Sequence, residues 1–156
     1  MSMIFGDNAA NNYSLAEYPY AFSRLFTNNT NIISVSENFL PAMALSSYCY
    51  YYMFSGCSNL TNMPKLPALT GTGYCYYCMF YNCTNLTDIK EICATTLGYM
   101  SCYYMFCNCA NITKAPDLLT ETLTGYCYYY MFKGCSKLSY IKSRAINASA
   151  SGCMSY

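Results

Sequence analysis

Hydrophobic and polar positions along this chain repeat every 26 residues. The most regular part of the pattern is a Met-Phe pair, which recurs at Met53-Phe54, Met79-Phe80, Met105-Phe106 and Met131-Phe132. Three residues after each Phe comes a Cys, and three residues after that Cys comes a Leu or an Ile. A degenerate first copy, with Leu25, Phe26 and Ile32, lies 28 residues before the next one. Such a period predicts stacked coils, because one coil of this size cannot bury its apolar residues alone.

Each repeat carries residue types that predict a short helix. Residues that favour the start of a helix recur at one position, namely Ser46, Thr72, Gly98 and Thr124. Ten residues later stands a Gly or Asn, which tolerates the left-handed backbone of a helix end: Gly56, Asn82, Asn108 and Gly134. The interval predicts a helix of about nine residues. Cys49, Tyr52 and Met53 share one face of that helix, which we expect to be buried.

A brief strand is predicted after each helix and turn, where apolar residues stand three apart: Leu60 and Met63, Leu86 and Ile89, and Leu138 and Ile141. The predicted fold is therefore an α/β solenoid, leucine-rich-repeat-like, with about five coils that each contain a short helix, a turn and a short strand. Residues 1–19 are expected to form an N-terminal arm or cap, residues 20–142 the repeat solenoid, and residues 143–156 an incomplete last coil or C-terminal cap.

The succession Phe-x-x-Cys-x-x-Leu-x-x-Ile, followed by Leu-Pro, resembles the BspA-type leucine-rich repeats of bacterial and protozoan surface proteins. The resemblance extends over about residues 20–142. It implies a surface interaction module or adhesin, and related arrays also occur in phage proteins. The implied location is the cell surface or a virion, although residues 1–20 contain neither the basic segment nor the apolar stretch of a signal peptide.

Composition excludes several classes of function. Eight Lys or Arg balance seven Asp or Glu, so no basic stripe is available for nucleic acid. No apolar run reaches the roughly 18 residues of a membrane helix, so membrane insertion is not expected. The chain has no His, no phosphate-binding loop and no isolated pair of close carboxylates. We therefore expect neither enzymatic activity nor a cofactor.

The twelve cysteines recur because the repeat does, and we expect them to be reduced and buried. Disulfides between neighbouring coils are a geometrically possible alternative. A metal site is not expected without His or a second close Cys pair. Asn59, Asn85 and Asn111 match the glycosylation sequon, but their place in the repeat predicts that they cap backbone groups, with glycosylation as the alternative.

The twenty tyrosines are clustered, as in Tyr50–Tyr52 and Tyr128–Tyr130. The clusters predict stacking of rings between coils. A ligand-binding stripe is the alternative, since Tyr provides large contact area with few rotatable bonds.

The candidate binding surface is the predicted strand face, where outward residues vary from repeat to repeat while the core positions are kept. Its candidate residues are Asn62, Lys65, Asp88, Lys90, Glu91, Lys114, Asp117, Tyr140 and Lys142. They predict a non-catalytic leucine-rich-repeat binding module that recognises a protein or glycan ligand through this face. The alternatives are a merely solvated face and a structural subunit of a filament, phage fibre or virion assembled through the solenoid ends.

The last residues of the chain stand at an unfinished phase of the repeat. Cys153 and Tyr156 correspond to Cys127 and Tyr130, so the next Met-Phe pair would follow immediately. Head-to-tail self-association is therefore a possible outcome, with an apolar N-terminal segment, residues 3–5, filling the missing position on a neighbour. Alternatively, residues 143–156 fold back as an irregular cap.

Overall fold

A computed structural model describes residues 13–155, and it shows the repeats as coils stacked one upon the next. Four two-residue strands form one parallel sheet in chain order: β1 (Ser14–Leu15), β2 (Ala44–Leu45), β3 (Thr70–Gly71) and β4 (Thr96–Leu97). Ala44 pairs with Thr70, and Thr70 pairs with Thr96. The 26-residue period is thus the length of chain from one coil to the next.

The prediction of an α/β solenoid with a helix in every coil is wrong, because residues 13–155 contain no helix. Consecutive turns occupy the predicted helical segment. The amides of Tyr51 and Met53 donate to carbonyls three residues earlier, at 3.3 and 3.2 Å, whereas an α-helix would use the fourth. Tyr48, Tyr52 and Gly56 have positive φ angles of 61°, 53° and 74°, so every fourth residue is left-handed. Nothing among the described residues forms a helix long and apolar enough to cross a membrane.

Every second amide from Tyr48 to Gly56 in this turn segment (residues 46–57 and the equivalent residues of other coils) bonds to the next coil. Tyr50 donates to Cys75 at 3.0 Å, and Phe54 donates to Met79 at 2.9 Å. Donors therefore alternate between the turn and the neighbouring coil, which satisfies the backbone without a helix. Helix axes pack roughly 8–10 Å apart, about twice the spacing of paired strands. Turns, unlike helices, can stack at the spacing that the strands require.

Stacked aromatic rings show that spacing directly. Tyr48 lies 4.7 Å from Tyr74, and Tyr77 lies 4.8 Å from Tyr103, with nearly parallel rings in both pairs. The predicted stacking of tyrosines between coils is therefore confirmed. A column of buried or half-buried phenylalanines runs parallel to them, with centroids 5.3 to 5.6 Å apart: Phe26, Phe54, Phe80, Phe106 and Phe132.

Burial in the turn segment follows a four-residue period rather than the 3.6-residue period of a helix. Cys49 and Tyr50 are buried, as are Met53 and Phe54 four residues later. Tyr52, which the helical prediction places on the inward face, is partly exposed. The difference arises because the backbone conformation repeats every four residues, with one left-handed residue in each repeat, and so returns side chains to the core at every fourth position.

The predicted strands contribute only isolated bridges, Asn62 with Asp88 and Leu66 with Ile92. The regular strands lie a few residues later, directly before each turn segment. At the two ends, β1 lies inside the region expected to be an arm, and residues 143–155 continue the stack through bridges such as Leu118 with Ser143. The segment proposed to fill a neighbour, Met3, Ile4 and Phe5, lies outside the described residues.

All twelve cysteines lie among the described residues, and none forms a disulfide. Eleven are buried, which confirms the prediction of core thiols. Four of them donate to a Phe carbonyl of the preceding coil at 3.0 to 3.1 Å: Cys57, Cys83, Cys109 and Cys135. Burial raises the pKa of Cys75 to about 12, so its thiol is protonated at neutral pH.

Two of the predicted capping asparagines bond to the preceding coil. The amide of Asn59 donates to the Thr30 carbonyl at 2.9 Å, and the amide of Asn111 donates to the Thr84 carbonyl at the same distance. The backbone-capping role is confirmed for these two side chains, which tie adjacent coils together.

Candidate functional site

Three ion pairs hold much of the charge on the strand face. Lys65 pairs with Glu37 of the preceding coil at 2.7 Å. Asn62 also bonds to the preceding coil. Its side chain accepts a hydrogen bond from the Val35 amide and donates one to the Val35 carbonyl. These two predicted binding residues therefore link coils, and Asn62 also forms a β-bridge with Asp88 of the following coil.

Five of the nine predicted residues come together around one cleft, which we call the strand-face cleft. Its charged rim consists of Asp88, Lys90, Glu91, Lys114 and Asp117. Its floor and walls are largely apolar and include Ile89, Cys93, Ala115, Pro116 and Leu119. Lys142 reaches the rim through a 2.7 Å ion pair with Asp117. Tyr140 lies in a separate opening beside Phe132, Leu138 and Ile141.

The cleft lies where the parallel hydrogen-bond ladder of the strand face is interrupted. No strand pairing and no bridge joins residues 87–97 to residues 113–123. Four amides on the two lips lack a backbone acceptor within residues 13–155: Ile89, Ile92, Lys114 and Leu119. The residues 26 positions earlier all donate to a neighbouring coil, at 3.1, 3.1, 3.1 and 2.9 Å: Met63, Leu66, Asp88 and Cys93. The sheet therefore ends at β4, and the next coil begins a separate ladder.

Two threonine hydroxyls bridge the interruption. Thr120 is fully buried at a position that is Ala in the three preceding repeats, and its hydroxyl donates to the Ala94 carbonyl at 3.1 Å. The hydroxyl of Thr124 donates to the Leu97 carbonyl at 3.2 Å, whereas one coil earlier a backbone amide, that of Gly98, makes the equivalent bond. The larger Thr120 side chain occupies space between the coils that a methyl group leaves free.

On the opposite side, the same two coils remain joined. The amide of Cys102 donates to Cys127 and the amide of Phe106 donates to Met131, both at 2.9 Å. The cleft therefore opens only on the strand side, and its back is held by the turn segments.

The electrostatics of the rim separate paired from unpaired charges. A hydrogen bond from Lys142 lowers the pKa of Asp117, and a hydrogen bond to Asp88 raises the pKa of Lys90. Glu91 and Lys114 are exposed and form no ion pair among the described residues. The rim thus presents one free charge of each sign, one on each lip.

The cleft has little capacity for covalent chemistry. Burial, with a smaller contribution from Glu91, raises the pKa of Cys93, the one cysteine that is not buried. A protonated thiol is a poor nucleophile. Within residues 13–155, no group of three or more His, Cys, Asp or Glu side chains could hold a metal ion. The arrangement is suited to binding through backbone groups, apolar contacts and two charges.

Sequence reasoning found the charged rim but missed the open backbone on both lips. The available signal is Thr120, which departs from the Ala of the preceding repeats. Comparison with models of known protein families, with curated proteins and with solved structures gave no match.

Proposed function

We propose that the protein is a non-catalytic binding module that recognises a partner protein through the strand-face cleft. The observation that carries this proposal is the pair of open backbone edges, flanked by the unpaired charges of Glu91 and Lys114. Exposed strand edges are templates for pairing with another chain. The resemblance to BspA-type repeats, whose members serve as surface interaction modules, is consistent with this role.

A protein ligand is favoured over a glycan by the chemistry of the lips. Their free amides call for acceptors, and a polypeptide supplies backbone carbonyls for them together with donors for free carbonyls. The apolar floor, with Ile89 and Leu119 half-exposed, suits aliphatic side chains. A glycan remains the alternative ligand from the sequence, and it is one outcome of the test.

The test is selection of peptides from a random display library on the immobilised chain. A strand-face variant replaces three lysines with glutamate: Lys90, Lys114 and Lys142. A matched control makes the same change in charge elsewhere, at Arg24, Lys133 and Lys137. Peptides selected on the wild type should lose about tenfold or more in affinity for the strand-face variant and bind the control normally. All these positions are on the surface, so thermal unfolding should change little.

Two results would contradict the proposal. One is that no peptide is enriched over the bare support. The other is that both variants bind the selected peptides as well as the wild type does. If the wild type binds glycans on an array and only the strand-face variant loses this binding, the protein is still a binding module, but its ligand is a glycan.

A structural subunit is the second candidate, and a separate apolar opening favours it. Phe132, Leu138 and Ile141 line this opening, beside Tyr140 with 58 % of its surface exposed. Another copy of the chain could cover such a surface. Light scattering at tens of micromolar, on the full chain and on a form lacking residues 1–5, tests this role. Monomers in both samples would exclude self-association through this opening.

A further inference from the structure

We infer that the strand-face cleft binds a single extended peptide segment of the partner, which hydrogen-bonds through its backbone to both lips and places an acidic side chain at Lys114 and a basic one at Glu91. This inference rests on the proposed function and adds the binding mode and the charge pattern of the ligand.

The first step in the argument is the state of the backbone. The amides of Ile89 and Ile92 on one lip, and those of Lys114 and Leu119 on the other, have no backbone acceptor among the described residues. The equivalent amides one repeat earlier all have acceptors. The missing acceptors are therefore specific to this cleft and are not a general property of the repeat.

The second step concerns the shape of the cleft. The turn segments hold the two coils together at the back, through bonds such as Cys102 to Cys127 at 2.9 Å. Toward the strand face, the two coils are joined by the hydroxyls of Thr120 and Thr124 and not by backbone amides. The result is an opening lined by residues 87–93 of one coil and 114–119 of the next. An extended peptide fits such an opening because its amides and carbonyls alternate along its edges.

The third step concerns charge. The Asp88–Lys90 and Asp117–Lys142 pairs, at 2.8 and 2.7 Å, neutralise three of the five rim residues. Only Glu91 and Lys114 remain unpaired on the rim, and they lie on opposite lips. A ligand that carries one basic and one acidic side chain would satisfy both. The apolar residues below them would contact the side chains that point inward, which alternate along an extended segment.

The experiment uses the full chain and the selected peptides. In the free chain, hydrogen exchange followed by NMR should show faster exchange at Ile89 and Leu119 than at their equivalents one repeat earlier, Met63 and Cys93. A bound peptide should slow exchange at these cleft amides. Methylating every second nitrogen of the peptide removes the N–H donors along one of its edges. When that edge is the one whose N–H groups donate to carbonyls of a lip, methylation should abolish binding.

A charge-swapped variant tests the ligand pattern. Glu91→Lys together with Lys114→Glu conserves net charge, and so does the control, Glu17→Lys together with Lys133→Glu. The swapped variant should select peptides whose two charges are reversed, while the control should select the wild-type pattern. Charge-reversed peptides should bind the swapped variant about tenfold or more better than they bind the wild type.

Failure of this inference is distinguishable from failure of the proposed function. Peptides that bind without slowing exchange at the cleft amides would overturn the inference and leave a protein-binding module. Equal exchange at Ile89 and Met63 in the free chain would show that the cleft is closed and would also overturn it. If replacing the strand-face lysines weakens the binding of neither peptides nor arrayed glycans, the proposed function itself fails.

Discussion

The replacement Tyr76→Phe should stabilise this protein. Tyr76 is fully buried, and its hydroxyl has no hydrogen-bond partner among the described residues. Two repeats later, the equivalent Tyr128 is also buried, but its hydroxyl lies within hydrogen-bonding reach of Thr120. The position that corresponds to Thr120 in the earlier coil is Ala68, which offers no side-chain partner. The same aromatic ring therefore has an unsatisfied hydroxyl at Tyr50 and Tyr76, and a hydroxyl with a neighbouring partner at Tyr128.

The expected magnitudes follow from that difference. A buried hydroxyl without a partner costs about 1–3 kcal/mol, so removing it should raise the free energy of unfolding by up to that amount. Removing the bonded hydroxyl in Tyr128→Phe should instead lower the free energy of unfolding by about 1 kcal/mol. In a chain of this size, each kcal/mol shifts the melting temperature by about 2–4 °C. The two variants should therefore move the melting temperature in opposite directions.

Thermal and urea unfolding monitored by circular dichroism measure both effects, provided that the urea dependence of stability is the same in all three proteins. Tyr128→Phe is the matched control, because it deletes the same atom from the same ring at an equivalent depth. A fall in stability for Tyr76→Phe, equal to that of the control, would refute the reasoning. It would show that the Tyr76 hydroxyl is satisfied in solution, for example by a buried water molecule.

Three further predictions concern the thiols, the close contact of two coils and an ion pair. Alkylation of the native chain should label Cys93 first, and alkylation after denaturation without reductant should label all twelve cysteines; unlabelled thiols would reveal disulfides. Gly98→Ala should lower the free energy of unfolding by about 1–3 kcal/mol, because its Cβ would lie 2.6 Å from the Gly73 backbone nitrogen; unchanged urea unfolding would contradict this contact. Lys142 depresses the pKa of Asp117 in the folded state, so its stabilisation is present at neutral pH and is lost as the pH falls through that depressed pKa. Asp117→Asn should therefore weaken the acid dependence of the urea midpoint, and an unaltered pH profile would exclude the pair as a contributor.

The candidate site was only partly predictable. The charges at Asp88, Glu91 and Lys114 are recognisable because outward positions vary while the core positions repeat. Their convergence on one cleft depends on an interruption of the ladder between two particular coils. That interruption involves Thr120, whose effect on coil spacing is a matter of packing volume and not of residue type alone. Asn62 and Lys65 belong to the same pattern, yet contacts with the preceding coil occupy them.

The sequence by itself determined the stacking period, the core thiols and the left-handed residue at the end of each turn segment. These follow from local chemistry, because Met, Phe and Cys at one phase must be buried and a residue such as Gly56 favours positive φ. Only the tertiary structure decided between helix and turns. Cap-like residues and nine intervening positions suit either form, but coils that stack with rings 4.7 Å apart leave no room for helices, which pack roughly twice as far apart. The spacing between coils, a property of the whole stack, therefore overrode the local helical pattern.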